Sequence, residues 1–301
     1  MSILHTILFH QIKKTKSIYS SSTEKNYVQS RNYEDARMDK LPIPFGVQIE
    51  QAYLGTVPVE YVMKKSNSTD TIVLYIHGGG FVEGSAKARR SFTTYIANKM
   101  NYNVAAINYR LAPEYPFPKA PLDCVEAYQS LLLKYHAEKI ILLGESAGGN
   151  LVLSTLLYIK NKKLPYPAAS FVISPTVQYD QELDSYEDNS DSDCMITNLS
   201  EEICDTYLQS TEESVVKSPY AAPYYGDFTG CSPVYIWSSA SEVLRDDSVI
   251  MADKLKAENV KCELFLREKM MHAYLIVPAI KESKKDLKTI KKYMDDAVET
   301  K

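Results

Sequence analysis

The chain has 301 residues, 45% hydrophobic and 24% charged, a balance that excludes disordered and fibrous classes and permits one large α/β domain or two ordinary ones. A formal net charge of −4 and a pI near 5.8 offer no basic surface to a polyanion, so no nucleic-acid partner is expected. The five cysteines are odd in number and scattered, with no CxxC pair, which gives neither a disulfide framework nor a zinc site and suits reduced thiols in the cytoplasm.

At the N-terminus Ile3, Leu4, Ile7 and Leu8 recur at helical spacing, and the lysines follow them rather than precede them. This predicts an amphipathic helix laid on the protein instead of a signal peptide. No run approaches the roughly 20 apolar residues of a membrane span. From Val47 onward, "VQIEQAYL" and "VPVEYVMKK" flank Gly55 and Thr56 and predict an antiparallel hairpin. Residues 71–77, 103–110, 139–144, 169–174, 234–240 and 261–268 are further strand candidates, several of them continuously apolar like strands covered on both faces. Helical patterns lie between them at 90–100, 123–135, 149–161, 246–258 and 283–298. The alternation predicts a mostly parallel sheet with helices on both faces.

Two segments break that rhythm: the first 45 residues, and residues 178–219. The second carries the acidic run "DQELDSYEDNSDSD" at 180–193. An EF-hand loop starting at Asp191 would place Ile196 where glycine is required, so the run is expected to be a solvated loop that disfavours anionic substrates.

The chemistry concentrates in three places. Gly144-Glu145-Ser146-Ala147-Gly148 joins an apolar strand to a helix. A serine on so sharp a turn is strained, and glycines on either side remove collisions. Earlier, His77 is followed by Gly78, Gly79 and Gly80. Such a run lets backbone N–H groups approach a developing oxyanion, a role expected of Gly79 and Gly80 with Ala147 as third donor, while His77 braces the loop. A serine nucleophile also needs a base and an orienting acid, in the chain order Ser, acid, His. His272 is the histidine downstream of Ser146, whereas His5, His10 and His136 are expected to be surface or helix residues. Glu242, Asp246 and Asp247 are the candidate acids; Glu242 lies nearest the strand end and is favoured, with Asp246 its main rival at a helix start.

Together, "HGGGF" at 77–81, "YRLAPEYPFP" at 109–118, "GESAGGNL" at 144–151, "SPYAAPYYGDFTGCSPVYI" at 218–236, "SEVLRDDS" at 241–248 and "MHAY" at 271–274 resemble the blocks of the hormone-sensitive lipase-like (bacterial family IV) carboxylesterases of the α/β-hydrolase superfamily. The resemblance implies an α/β-hydrolase fold: an eight-stranded, mostly parallel central sheet with helices on both faces and a small helical cap. It also implies Ser146 as nucleophile, His272 as base, Glu242 at the acid position, and Gly79, Gly80 and Ala147 as oxyanion hole. Glu145 stands where aspartate is commoner, and "HAY" replaces His-Gly-Phe.

Residues 46–177 and 220–301 are therefore expected to form the catalytic domain, residues 1–45 the N-terminal helical part of the cap and residues 178–219 its inserted part. The implied activity is hydrolysis of uncharged, short-chain acyl esters by a cytoplasmic enzyme that uses no metal or organic cofactor. Its expected partners are a small-molecule ester and, as an assembly, a second copy in a homodimer. The alternatives are a deacetylase, amidase or lactonase on the same scaffold, or a non-catalytic binder of small lipophiles.

Overall fold

Gly55 and Thr56 turn β1 (Val47–Leu54) back onto β2 (Val57–Lys64), with Leu54 opposite Val57 in antiparallel register. This hairpin opens the sheet of a computed structural model that describes residues 2–19, 26–66, 69–196 and 203–299. β3 (Ile72–Ile76), β4 (Asn103–Ile107), β5 (Ile140–Glu145), β6 (Ala169–Ile173), β7 (Val234–Ser239) and β8 (Cys262–Arg267) complete it. The 8 strands run in the order β1-β2-β4-β3-β5-β6-β7-β8. β2 pairs antiparallel with β4, and every pairing from β4 to β8 is parallel. β3, β5, β6 and β7 are buried at every residue, which is why their sequences are continuously apolar rather than alternating. β4 and β5 flank β3 on opposite sides, so the chain reverses its direction of travel across the sheet there. The C-terminal ends of β3 and β5 thus border the crevice where α/β sheets place their sites.

Helices cover both faces. α3 (Arg90–Tyr95) runs on through Ile96–Met100, and α4 (Lys119–Leu132) and α5 (Ala147–Asn161) follow. α4 begins earlier than the pattern predicts because Pro121 is accepted in a first turn, where its missing N–H breaks no helical bond. In the segment between β6 and β7 lie α6 (Asp184–Asp188) and α7 (Glu213–Val216). α8 (Arg245–Ala257) and α9 (Lys281–Glu299) complete the layers. One core cluster joins the sheet to α4, α5 and α8 through Leu131, Leu151, Leu156, Met251 and Leu255. The other joins it to α3 and α9 through Phe92, Ile96, Leu287, Ile290 and Met294.

The first 45 residues hold α1 (Ile3–Tyr19) and α2 (Tyr27–Met38), the latter capped by Asn26, whose side chain accepts the Gln29 N–H. α1 is a helix as predicted, but it turns a different face inward. Ile3, Leu4 and Ile7 are exposed, while His5 is fully buried and Leu8, Phe9 and Ile12 pack on the second cluster. The spacing 5, 8, 9, 12 is as helical as the predicted stripe. α1 is held at its start by Glu282, which accepts from the Ser2 N–H and hydroxyl, both at 2.7 Å.

α2 is tied down by Arg31. Its guanidinium donates to the carbonyls of Val82 (2.7 Å) and Ala112 (2.6 Å) and forms a two-pronged bond with the Glu114 carboxylate, both prongs at 2.9 Å. From the second segment Tyr207 stacks on Phe81, with centroids 3.8 Å apart, and its carbonyl accepts the Phe117 N–H at 2.9 Å. Residues 20–25 and 197–202, parts of these two segments, lie outside the described residues. Among the described residues no helix is long and apolar enough to cross a membrane.

Candidate active site

Ser146 leaves β5 and caps α5 with φ 56° and ψ −124°, a conformation that L side chains rarely adopt and that stores about 1 to 3 kcal/mol of strain. Its N–H is tied to the Ile173 carbonyl at 2.8 Å, so the turn is held from the next strand. α5 starts two residues sooner than the periodicity predicts, because Gly148 fits against β3 where a Cβ would lie 2.1 Å from the Ile76 carbonyl oxygen. The helix N-terminus therefore begins immediately behind the serine.

Beside it, the loop after β3 is fixed by the residue preceding the serine. Glu145 Oε1 accepts the Gly78 N–H (2.7 Å) and Arg89 Nε (2.8 Å), while Oε2 accepts the Tyr75 hydroxyl (2.6 Å). Nothing in the sequence beyond the acidic residue before the serine signalled this bridge, and Arg89 was missed. Among the described residues, the N–H groups of Gly79, Gly80 and Ala147 have no protein acceptor. His77 is buried and stacked on Tyr109, with centroids 4.3 Å apart. Burial, partly opposed by its bond to the Gly78 carbonyl, pushes its pKa down to about 3. It is therefore a neutral brace whose Nδ1–H donates to Gly78 O at 2.9 Å.

Gly79 has φ 124°, and a Cβ there would lie 2.3 Å from the Glu83 carbonyl oxygen. Gly79→Ala must displace the loop. Steady-state kinetics should show kcat reduced by about 100- to 1,000-fold, the loss typical of one oxyanion donor, with KM changed far less. An unchanged kcat would take this loop out of the reaction.

Across the crevice, Glu242 and His272 meet. His272 Nδ1–H donates to Glu242 Oε2 at 2.7 Å, with both side chains buried. The other carboxylate oxygen, Oε1, accepts the Ser238 hydroxyl and the Ser239 N–H. Burial alone would raise the pKa of Glu242, but the His272 charge and the bonds from His272, Ser238 and Ser174 outweigh it and hold the pKa below the usual range. His272 is shifted the opposite way: burial opposes its charge, yet the Glu242 bond and charge, followed by Asp193 and Glu145, raise its pKa. Nε2 is left as the acceptor of the ring. No hydrogen bond joins it to Ser146 Oγ among the described residues.

The rival acids are engaged elsewhere. Asp246 pairs with Arg245 and accepts the Ser185 N–H at 2.9 Å. Asp247 accepts the Val177 N–H and the Tyr186 hydroxyl, both at 2.8 Å, and burial lifts its pKa to about 7. Ser146, the glycine loop, Glu242 and His272 thus all follow the C-terminal ends of strands β5, β3, β7 and β8.

Residues 73–276 match the family described by the α/β-hydrolase fold. The chain belongs to the α/β-hydrolase family. Within that family an acetyl-hydrolase of Streptomyces hygroscopicus is 31% identical over 197 residues, 65% of this chain and 64% of that protein. An esterase of Acinetobacter venetianus is 29% identical over 218 residues, 71% of each. Among solved structures, EstE5, soaked with p-nitrophenyl butyrate, superposes with a TM-score of 0.89 at 28% identity over 99% of each chain. An esterase from the bacterial hormone-sensitive lipase family does so with a TM-score of 0.88 at 27% identity, covering 96% of this chain and 98% of that one. The fold of this α/β-hydrolase is accordingly that of the hormone-sensitive lipase-like esterases, as the sequence motifs imply.

Two further polar groups of this α/β-hydrolase are buried, and one of them changes an expectation. His5 is a helix residue, as expected, and it is buried there: its Nε2 accepts the Met271 N–H at 3.2 Å, next to His272. The acidic run is not simply a solvated loop, since Ser185, Asn189 and Asp193 within it are buried. Both burials have one cause, which is that partners distant in sequence supply the hydrogen bonds that let polar groups go inside.

Proposed function

We propose that the chain is a serine carboxylesterase that hydrolyses uncharged, short-chain acyl esters through an acyl-enzyme. The observation that carries this reading is the buried Glu242–His272 bond of 2.7 Å on the same sheet edge as the strained Ser146 turn. In the reaction Ser146 Oγ attacks the ester carbonyl while His272 Nε2 takes its proton. Glu242 keeps the other ring proton on Nδ1 and stabilises the imidazolium. The N–H groups of Gly79, Gly80 and Ala147 receive the oxyanion, and the imidazolium protonates the leaving alkoxide. Water, deprotonated by the same imidazole, then releases the acid and restores Ser146.

The segments 1–45 and 178–219 act in this reading as a cap. Arg31 and Tyr207 support it, because they attach the two segments to Val82 and Phe81, immediately beyond the glycine loop. Relatives named acetyl-hydrolase and esterase, and a structural neighbour soaked with a butyrate ester, favour short acyl groups.

The test is turnover of p-nitrophenyl esters from acetate through butyrate to dodecanoate. Turnover should peak at the short end and fall as the acyl chain outgrows the pocket. Rates no higher than spontaneous hydrolysis on every ester would refute an esterase.

A further inference from the structure

The loop from Ala240 to Val243, which carries Glu242, leaves the sheet after the Ala240 N–H donates to the Arg267 carbonyl of β8 at 2.9 Å, and beyond it Ser241 Oγ accepts the Lys269 N–H at 3.1 Å and the Glu242 carbonyl accepts the Arg245 N–H at 3.1 Å. The side-chain bonds to its carbonyls come from the acidic segment. Asn189 Nδ2 donates to the carbonyls of Ala240 (3.3 Å) and Glu242 (2.9 Å), Ser192 Oγ to that of Ser241 (3.0 Å), and Ser185 Oγ to that of Val243 (2.6 Å). Four consecutive carbonyls are thus satisfied by side chains from a stretch some fifty residues earlier in the sequence. Asp193 completes the set: its Oδ2 accepts the Val243 N–H at 2.9 Å. Its Oδ1 accepts the N–H groups of Met195 (2.7 Å) and Ile196 (3.1 Å), so both oxygens of this buried carboxylate are committed to backbone donors.

We propose that the stretch 185–193 is a clamp on the acid loop, in which Asn189 and Asp193 are positioning residues that aim Glu242 at His272. The proposal rests on the triad reading above. Satisfying backbone groups alone would need only water at an exposed loop, whereas here Ser185, Asn189 and Asp193 are buried and, with Ser192, converge on the loop bearing the carboxylate. Asp193 also acts on the base through its charge. The charged groups facing His272 are Glu242 on its own loop, Asp193 on the clamp and Glu145 on the serine turn, and all three favour the imidazolium. His5 of α1 touches the loop that carries His272, through the Met271 N–H. Glutamate in place of aspartate would be too long for the backbone donors, and asparagine supplies one acceptor where two are used.

The test compares Asp193→Asn, Asn189→Ala and Glu242→Gln with the native chain by the pH dependence of kcat/KM for p-nitrophenyl butyrate, with circular dichroism as the check on folding. Asp193→Asn should lower kcat by about 10- to 100-fold, the cost of a misplaced catalytic group, with little change in KM. It should also move the acid limb to lower pH, because a negative charge that favours the imidazolium is gone. Asn189→Ala should lower kcat with the limb in place, since it removes no charge. A folded Asp193→Asn with native kcat and an unmoved limb overturns the clamp, even if its Tm falls. Should Asp193→Asn not fold, native kcat in Asn189→Ala overturns it equally. Glu242→Gln separates the two readings: if it is slow while the clamp variants are native, only the clamp fails. If Glu242→Gln is itself native, the triad reading fails and the clamp goes with it.

Discussion

Ser146→Ala is expected to lower kcat for p-nitrophenyl butyrate by about a million-fold, the loss seen when a serine nucleophile is removed from a complete triad. The N–H groups of Gly79, Gly80 and Ala147, proposed to receive the oxyanion, are untouched, so ester binding should persist and KM should change little. The fold should persist as well, because the Ser146 hydroxyl makes no hydrogen bond among the described residues and alanine must adopt the same φ of 56°. Steady-state kinetics and a melting curve on the purified variant decide the matter. Residual turnover within tenfold of the native chain would remove Ser146 from the chemistry. Ser146→Gly provides a second check on the turn itself. Releasing about 1 to 3 kcal/mol of strain outweighs the roughly 0.5 to 1 kcal/mol that glycine costs in backbone entropy. Its Tm should therefore exceed that of Ser146→Ala.

The second large effect is expected of Glu242→Gln, and the direction of its amide can be argued from the site. Glu242 Oε1 sits between two donors, the Ser238 hydroxyl and the Ser239 N–H, so a glutamine carbonyl takes that place and its NH2 group faces His272 Nδ1. Nδ1 must then accept, the ring proton moves to Nε2, and the imidazole can no longer take the serine proton. A loss of about ten-thousand-fold in kcat is the expected scale for the wrong tautomer. The pH profile gives an independent sign. Glu242 raises the pKa of His272, so its neutralisation lowers that pKa, and the acid limb of the residual activity should move to lower pH. Activity within tenfold of native, or a limb moving upward, would show that Glu242 does not orient the base.

The order of strands and helices was legible because the core strands are apolar throughout and the helices repeat at 3.6 residues. Both are local properties of the chain. The serine turn was legible because Gly144 and Gly148 lie within two residues of Ser146, although the carbonyl that leaves no room for a Cβ at Gly148 is that of Ile76 on β3. The candidate acid was only narrowed by sequence, since Glu242, Asp246 and Asp247 all follow β7. Folding separates them by giving Asp246 an arginine, Asp247 a tyrosine and a backbone amide, and Glu242 the imidazole.

The buried face of α1 was misread, because two stripes on that helix have helical spacing and only the surface it lands on selects between them. The acidic run was misread for a related reason. Its composition announces solvation, and nothing nearby in the chain reveals that Asn189 and Asp193 meet the loop at 240–243. Local patterns in the chain specify the alternating α/β architecture, the serine turn and the histidine downstream of it, since periodicity and the glycines flanking Ser146 are read from near neighbours. Tertiary structure alone decided which carboxylate faces the histidine and what holds it there. A buried carboxylate is selected by the donors around it, and these come from segments that meet only when the sheet is assembled.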